Sequence, residues 1–345
     1  MNKLLNSFNN SSDIIYLKKK EFDIFYSCKY KYPLLTVEKI TKKSGKTEGE
    51  PIKRKNIKDP FKVDTKLPKE CRLKLKNIKD YMVYGGSPGH QAPAGHHKTN
   101  MKVYSETFLL SNIAPQEMCL NSGLWVLLET WVLGLKNDSE LENVTVFTGC
   151  IPDSKTQTFL DTTLNVPTHW FKIVTASVKN EPNTLYIACF LMNNSRPSER
   201  IFKLYKYLVS LKELSMLANI NFFQLFEVYS NFKKQDKIHS LKHKVRIDLH
   251  FGNNRMLIKQ MNSSFWYGEL IYSTTLLELE RKWKKTKQNN FGDEYHEIYY
   301  KYAKMRLSNK IKKKTTKYKF SSKNKTSKSQ KTQGKTKIKS QSKKK

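Results

Sequence analysis

Alternating apolar and polar positions divide this chain into strand-like and helix-like stretches. Runs rich in aromatic and β-branched residues predict strands, because such side chains suit a half-buried pleated surface. These runs lie at residues 22–40, 81–84, 144–149, 167–177, 184–192, 245–249 and 265–267. Apolar positions that recur every three or four residues predict helices, which lie at residues 120–135, 207–219, 275–285 and 293–307.

Three features with chemical potential lie between residues 85 and 129. His90 follows a Ser-Pro-Gly turn, an SNIAPQ loop spans Ser111 to Gln116, and Asn121 precedes Glu129 by eight residues. On an α-helix, eight residues make about two and a quarter turns, so Asn121 and Glu129 lie on broadly the same side. An amide oxygen, a carboxylate and a nearby imidazole are the ingredients of a hydrolytic site that uses a hard cation.

The motifs in this region resemble those of the DNA/RNA non-specific endonucleases of the ββα-metal type, most of all the endonuclease G and exo/endonuclease G branch. The family pattern is Asp/Ser-Arg-Gly-His, Ala-Pro-Ala, Ser-Asn-x-x-Pro-Gln and then Asn-x-x-x-Trp-x-x-x-Glu. The matching residues here are Ser87–His90, Ala92–Ala94, Ser111–Gln116, Asn121, Trp125 and Glu129. A similar Val-Pro-Thr-His segment begins at Val166, and the likeness extends to about Phe226, or two thirds of the chain.

The resemblance implies an α+β fold with a mixed, mainly antiparallel sheet core and a ββα-metal (His-Me finger) active site. Composition, together with the extent of the likeness, predicts the domain organisation. A flexible leader at residues 1–20 precedes the nuclease domain at 21–232. A partly helical C-terminal extension at 233–308 and a disordered lysine-rich tail at 309–345 complete the chain.

Site roles follow from the resemblance as expectations. His90 is the general base, and Asn121 is the sole protein ligand of a Mg²⁺ ion, for which Mn²⁺ is a substitute. Glu129 orients the waters of the metal, Arg54 offsets charge in the transition state, and Asn112 is counted with the catalytic residues because it positions the site. The family cleaves DNA and RNA with little sequence preference and leaves 5′-phosphate and 3′-hydroxyl ends.

Some residues in this pattern allow a second interpretation. Pro88 stands where the family has an arginine, and loss of one transition-state donor typically costs about 10²- to 10³-fold in rate. The alternative function is therefore a catalytically weak homologue that binds or packages nucleic acid. Arg54 has lysine neighbours, so it is either the family arginine or one more cation of a basic loop. For His96 and His97 a structural role is favoured over contact with phosphate.

Charge narrows the class of partner. The formal net charge is +34, from 64 Lys and Arg against 30 Asp and Glu, which favours a polyanion and above all DNA or RNA. Residues 310–345 contain sixteen lysines and no acidic residue, which is typical of a disordered, like-charged tail. Such a tail tethers the protein to phosphate backbones, directs nuclear import or serves solubility.

Cysteine content and hydropathy give information about the cellular compartment of the protein. The five cysteines include no Cys-x-x-Cys pair, which disfavours a disulfide framework or a zinc site and predicts buried free thiols in a reducing compartment. The sequence contains no run of 18 apolar residues, so no membrane-spanning helix is predicted. The first twenty residues lack a secretory h-region and are a weak mitochondrial presequence. Nucleus, mitochondrion and virion stay open as compartments, and homodimers are common in the family.

Overall fold

The computed structural model describes residues 2–8, 11–52, 57, 60–197, 203–247, 255–292 and 296–309. Within these ranges the strands are β1 (Ile14–Lys18), β2 (Phe22–Ser27), β3 (Tyr32–Lys39), β4 (Gly86–His90), β5 (Ile113–Glu117), β6 (Leu141–Ile151), β7 (Thr156–Phe159), β8 (Thr162–Asn165), β9 (His169–Val178), β10 (Glu181–Asn193), β11 (Leu208–Val209) and β12 (Lys237–Ser240). The helices are α1 (Asn2–Leu5), α2 (Leu75–Met82), α3 (Met101–Glu106), α4 (Val126–Gly134), α5 (Leu211–Ala218), α6 (Phe222–Tyr229), α7 (Lys242–Ile247), α8 (Arg255–Ile271) and α9 (Leu276–Gln288). Residues 296–309 are also helical, and Leu120–Trp125 form a π-helix that runs directly into α4.

The main sheet has the order β1-β2-β3-β6-β9-β10-β11 within the described residues. All of these neighbours pair antiparallel, whereas β12 joins β10 in parallel. At its centre Thr148 of β6 lies opposite Lys172 of β9. The prediction of a mixed, mainly antiparallel sheet is therefore confirmed.

Helices cover both faces of this sheet, so its central strands are buried on both sides. The π-helix and α4 cover one face, where the packed aromatic residues are Trp125, Trp131, Trp170 and Phe190. Helices α5 and α6 cover the other face, where the packed aromatic residues include Phe147, Phe171, Phe222 and Phe226. Side chains alternate between faces along a strand, so any polar residue in register with Trp170 is enclosed beneath α4.

A small hairpin stands apart from the main sheet and leads into the π-helix. Strands β4 and β5 pair antiparallel, with Gly86 opposite Glu117 and His90 opposite Ile113. Three residues after β5 ends, the π-helix begins. Strand, strand and helix in this order form a ββα unit, as the resemblance implies.

Three predicted strands are helical instead. Helix α2 extends to Met82, and the chain then turns at Gly85, which has a φ of 94°. Of the strand predicted at 245–249, residues 245–247 lie in α7, and residues 248 and 249 lie outside the described residues. Residues 265–267 lie in α8. Strand preference of aromatic and β-branched residues depends on context, and local sequence does not reveal which contacts a segment will make.

Two expectations about the first hundred residues are wrong. Residues 14–18 of the predicted flexible leader form β1, where Ile14 pairs with Ser27. Cys28 and Cys71 form a disulfide with a Cα–Cα distance of 4.5 Å, although 43 residues separate them. Such a sequence separation gives no sign of spatial contact. Cys119, Cys150 and Cys189 are buried thiols, as predicted.

The chain divides into two compact units, one that ends at Glu269 and one that begins at Leu270. This division differs from the predicted boundary at residues 232 and 233. In the second unit, α9 begins as predicted: the Thr275 hydroxyl accepts a hydrogen bond from the Glu278 backbone N–H at 3.1 Å. Among the described ranges, no helix combines the length and apolarity of a membrane span. The predicted disordered tail lies outside the described residues from residue 310 onward.

Candidate active site

His90 ends β4, and its position is fixed by tight packing around the hairpin. Its ring lies 5.7 Å from the Phe61 ring and meets the Phe108 ring edge-on at 4.9 Å, measured between centroids. A Cβ atom at Gly89 would come within 2.5 Å of Gln116 Oε1 and 2.8 Å of the Trp170 indole. Only glycine therefore allows the residue before His90 to approach Trp170 so closely.

Asn112 holds the segment that follows His90. Its side chain is fully buried; Oδ1 accepts from the Ala92 N–H, and Nδ2 donates to the carbonyls of Ala92 and Thr107, each at 2.9 Å. Its own carbonyl accepts from the Gln91 N–H at 3.1 Å. These bonds occupy the amide, so Asn112 is suited to positioning the loop beside His90 and not to contact with substrate.

Asn121 lies in the π-helix and is half-buried. Within the part of the chain that the structure describes, its side chain makes no hydrogen bond, so the amide oxygen is available to a ligand. In an unbroken α-helix, the eight-residue spacing would leave Asn121 and Glu129 offset by about 80° around the helix axis. A π-helix bonds i to i+5 and turns less per residue, which reduces this offset.

Glu129 lies on α4 above a buried lysine. Burial raises the pKa of the Glu129 carboxyl to about 7, although the charges of Lys172 and His96 act in the opposite direction. Lys172 is fully buried in β9; its Nζ donates to the Thr148 hydroxyl and lies 5.1 Å from the centroid of the Trp125 ring. Burial lowers the pKa of Lys172, against the attraction of Glu38 and Glu129.

A buried chain of hydrogen bonds joins α4 to β3. Glu38 Oε2 lies 3.0 Å from His96 Nδ1 and 2.9 Å from His97 Nε2. The other ring nitrogen of His96 lies 3.0 Å from the backbone carbonyl oxygen of Glu129, and His97 Nδ1 lies 3.1 Å from Glu21 Oε2. Both histidines are 2% exposed, so they are structural groups and cannot reach a phosphate from this position.

The structure brings His90 and Asn121 into one ββα unit. Trp170 links its parts: the indole packs against Gly89, donates to the Pro115 carbonyl at 3.3 Å and meets Trp125 edge-on at 5.3 Å. Arg54 lies outside the described residues. Within the described ranges, no group of three or more His, Cys, Asp or Glu residues is placed to hold a metal ion.

Sequence reasoning missed the two buried charges beneath α4. Glu38 and Lys172 lie among the buried residues of β3 and β9, and both are at most 2% exposed. A charged residue within a run of a buried strand is the signal that could have identified them, because an ionised side chain is rarely buried without partners.

Comparison with known proteins agrees with the motifs. The family model described as DNA/RNA non-specific endonuclease matches residues 3–227. The mitochondrial nuclease EXOG of Homo sapiens is 34% identical over 160 residues, which cover 42% of this chain and 41% of the relative. Nuclease C1 of Cunninghamella echinulata var. echinulata is 28% identical over 223 residues, 62% of this chain and 84% of the relative.

A solved structure of an EndoG/EndoGI complex is similar in fold. It has a TM-score of 0.53 and 26% sequence identity, and the match covers 61% of this chain and 85% of that chain. The chain spans about half the length, or somewhat less, of the mitochondrial EXOG relatives that it matches.

Proposed function

Because the chain belongs to the DNA/RNA non-specific endonuclease family, we propose that it is a nuclease that hydrolyses phosphodiester bonds of DNA and RNA with little sequence preference. One observation carries this proposal: His90 ends the first strand of a ββα unit whose helix presents Asn121, and among the described residues the amide oxygen of Asn121 has no hydrogen-bond partner. Contacts with the sugar-phosphate backbone, which is the same for every sequence, would account for little base preference.

His90 would act as the general base. A neutral imidazole has suitable basicity near pH 7 and takes a proton from the attacking water. Phe61 and Phe108 hold the His90 ring in orientation, and the hydrogen bonds between the Asn112 side chain and the Ala92 backbone fix the segment that follows His90. Proton transfer to a ring held in this way avoids the cost of ordering the base during the reaction.

Asn121 would hold Mg²⁺, with Mn²⁺ as a substitute. One amide oxygen suits an ion that keeps most of its water shell, and the described residues offer no cluster of ligands typical of zinc. When bound, Mg²⁺ supplies positive charge at the scissile phosphate and a more acidic water for the leaving oxygen. Glu129, whose carbonyl is bonded to His96, would accept hydrogen bonds from the metal's waters.

Two further parts of the proposal come from the family pattern. Arg54 would offset negative charge in the transition state. The products would carry 5′-phosphate and 3′-hydroxyl ends, which end-labelling of cleaved oligonucleotides would identify.

Replacement of the base tests the nuclease directly. In a plasmid-nicking assay, the His90→Ala variant should lose about 10²- to 10⁴-fold of the Mg²⁺-dependent rate, because a positioned general base contributes that much. EDTA should abolish cleavage by the wild type. His239→Ala is the matched control, since His239 is exposed on β12. Equal nicking by wild type and His90→Ala would reject the proposed role of His90.

A second candidate function is that of a basic protein that binds or packages nucleic acid with little cleavage. The observation that favours it is Pro88, which is half-buried opposite Pro115 where the family pattern has an arginine. In that case gel retardation of DNA would be unchanged in EDTA, while nicking would be absent from wild type and variant alike.

Relatives that carry the word mitochondrial in their names make the mitochondrion the first compartment to test. The Cys28–Cys71 disulfide favours an oxidising environment over the reducing one that the cysteine pattern predicted. Homodimerisation stays a prediction, which light scattering of the purified protein would measure.

A further inference from the structure

A groove of about 520 Å³ lies in the first unit, and its lining includes none of the candidate catalytic residues that the structure describes. Its walls are the turn between β2 and β3 at Lys29–Lys31, the segment from Arg72 to Asn77, and the β7–β8 hairpin from Thr156 to Asn165. These three segments together form what we term the basic groove.

Positive charge dominates the basic groove. Its basic residues are Lys29, Lys31, Arg72, Lys74 and Lys76. The acidic residue in its lining is Asp161, whose carboxylate lies 3.4 Å from the ammonium of Lys76 at an exposed position. Among the described residues, the other four cations have no carboxylate partner. Clustered like charges repel one another, and a polyanion that neutralises them gains from counterion release.

Arg72 is already held in place. Its Nε donates to the Leu67 carbonyl at 2.8 Å, and its Nη2 donates to the Thr65 carbonyl at 3.0 Å. These two bonds fix the plane of the guanidinium and use two of its five N–H donors. The remaining donors keep the forked geometry that suits a phosphate, at little further cost in side-chain entropy.

Tyr30 adds an aromatic ring to the cationic lining. The ring is half-buried and stacks on Tyr32 with centroids 5.9 Å apart and planes inclined by 21°, while the ammonium of Lys29 lies 5.1 Å from its centroid. Aromatic rings among cations form stacking platforms for the bases of single-stranded nucleic acid. Packing on Tyr32 fixes the Tyr30 ring beside the cations, where it is suited to stacking.

The Cys28–Cys71 disulfide holds the two cationic walls together. Cys28 immediately precedes Lys29, and Cys71 immediately precedes Arg72, so the disulfide links the first residues of the two walls. The Tyr26 hydroxyl also donates to the Cys71 carbonyl at 2.8 Å. The spacing of the walls is therefore set before any ligand arrives, which lowers the cost of binding.

We propose that the basic groove binds single-stranded nucleic acid that flanks the scissile bond, with Arg72 and the lysines on phosphates and Tyr30 stacked on a base. This inference rests on the proposed nuclease function, because it supplies the substrate. The groove is connected to the active site through packing. Leu73 and Leu164 line it and belong to the same buried cluster as Ile113, the partner of His90 in the hairpin.

Binding of a fluorescent 30-nucleotide single-stranded DNA, measured by anisotropy in EDTA, tests the groove without cleavage. The double variant Lys29→Glu with Lys74→Glu should weaken binding about tenfold or more. It should also lower the slope of log affinity against log salt concentration by about 1.4, which corresponds to two lost phosphate contacts. Tyr30→Leu should weaken binding about tenfold at an unchanged salt slope, because it removes stacking and keeps the charge.

The matched control is Lys179→Glu with Lys212→Glu, two exposed lysines outside the groove with the same change in net charge. It should bind nearly as well as the wild type. An equal loss in both double variants, or no loss in either, would overturn the proposal. Thermal unfolding of each variant shows whether a loss of binding affinity is due to misfolding. Tyr30→Leu tests the groove independently, because this substitution does not change the net charge.

Cleavage kinetics separate this inference from the proposed function. Groove variants should raise KM for the 30-nucleotide substrate about tenfold and leave its kcat unchanged. Cleavage of a tetranucleotide should be unaffected, since so short a substrate cannot occupy the active site and the basic groove together. Failure of the nuclease proposal would appear as the absence of Mg²⁺-dependent nicking by the wild type. Failure of the groove proposal would appear as unchanged affinity in EDTA, whatever the cleavage rate.

Discussion

His97 is a buried cation whose charge is maintained by two carboxylates. Burial lowers its pKa, but hydrogen bonds and attraction to Glu21 and Glu38 outweigh burial and raise the pKa to about 9 from the ordinary 6.5. Burial acts to raise the pKa of the Glu38 carboxyl, but hydrogen bonds and attraction to His96 and His97 outweigh burial. The pKa of Glu38 therefore lies well below its usual range. His97 and Glu38 are therefore both charged near neutral pH.

Stability should fall with rising pH because of His97. Because the pKa of His97 is higher in the folded than in the unfolded state, its protonation stabilises the folded protein. This stabilisation is complete below pH 6.5 and is lost as the pH rises through about 9. The difference corresponds to at most about 3 kcal/mol. Urea unfolding at pH 6 and pH 9.5 should show this loss in the wild type and a smaller loss in His97→Gln. The same pH dependence in both proteins would contradict the assignment.

At the scale of elements, the β4–β5 hairpin depends on the absence of one side chain. Gly89 faces Gln116 and Trp170 at distances that exclude a Cβ atom, and its φ is not in the left-handed region. The requirement is therefore steric and not conformational. Because His90 is the next residue, any displacement that relieves the clash also moves the proposed base.

Gly89→Ala should lower both stability and activity. Overpacking costs about 1–3 kcal/mol, and a shift of the base by about 1 Å costs about 10²-fold in rate. Gly95→Ala is the control, since a Cβ atom there would meet no atom within 4 Å. Denaturant unfolding and plasmid nicking measure the two effects. If Gly89→Ala behaved like Gly95→Ala in both assays, the packing of Trp170 would not determine the position of His90.

The π-helix is a second element with consequences for function. Leu120–Trp125 precede α4 without a break, so the change of helix type falls between Asn121 and Glu129. A π-helical turn is uncommon and is found frequently at functional sites. Here it alters the angle between the side chains of Asn121 and Glu129, the proposed metal ligand and its proposed neighbour.

For the whole molecule, the Cys28–Cys71 disulfide closes a long loop. A sequence separation of 43 residues corresponds to a stabilisation of about 4 kcal/mol in the chain-entropy description. Cys28→Ala with Cys71→Ala should lower the free energy of unfolding by about that amount. Dithiothreitol should lower the urea midpoint of the wild type and leave that of the variant unchanged. A wild type with reduced thiols and an unchanged midpoint would contradict this expectation.

Local patterns in the sequence were sufficient for much of the fold. Residues 22–40, 144–149, 167–177 and 184–192 were predicted as strands and lie in β2, β3, β6, β9 and β10. The predicted helix from Leu120 to Leu135 and the cap at Thr275 are also observed. These elements are predictable because their apolar periodicity and capping chemistry are properties of neighbouring residues.

By itself, the sequence determined the family, the mixed antiparallel sheet and the order of His90, Asn112, Asn121 and Glu129 along the ββα unit. The tertiary structure alone decided that Cys28 meets Cys71 and that Glu38 and Lys172 are enclosed beneath α4. It also decided that Lys29 and Arg72 share one groove. The physical reason is distance along the chain: local propensities act over a few residues, whereas these contacts join segments whose approach depends on how the whole sheet packs.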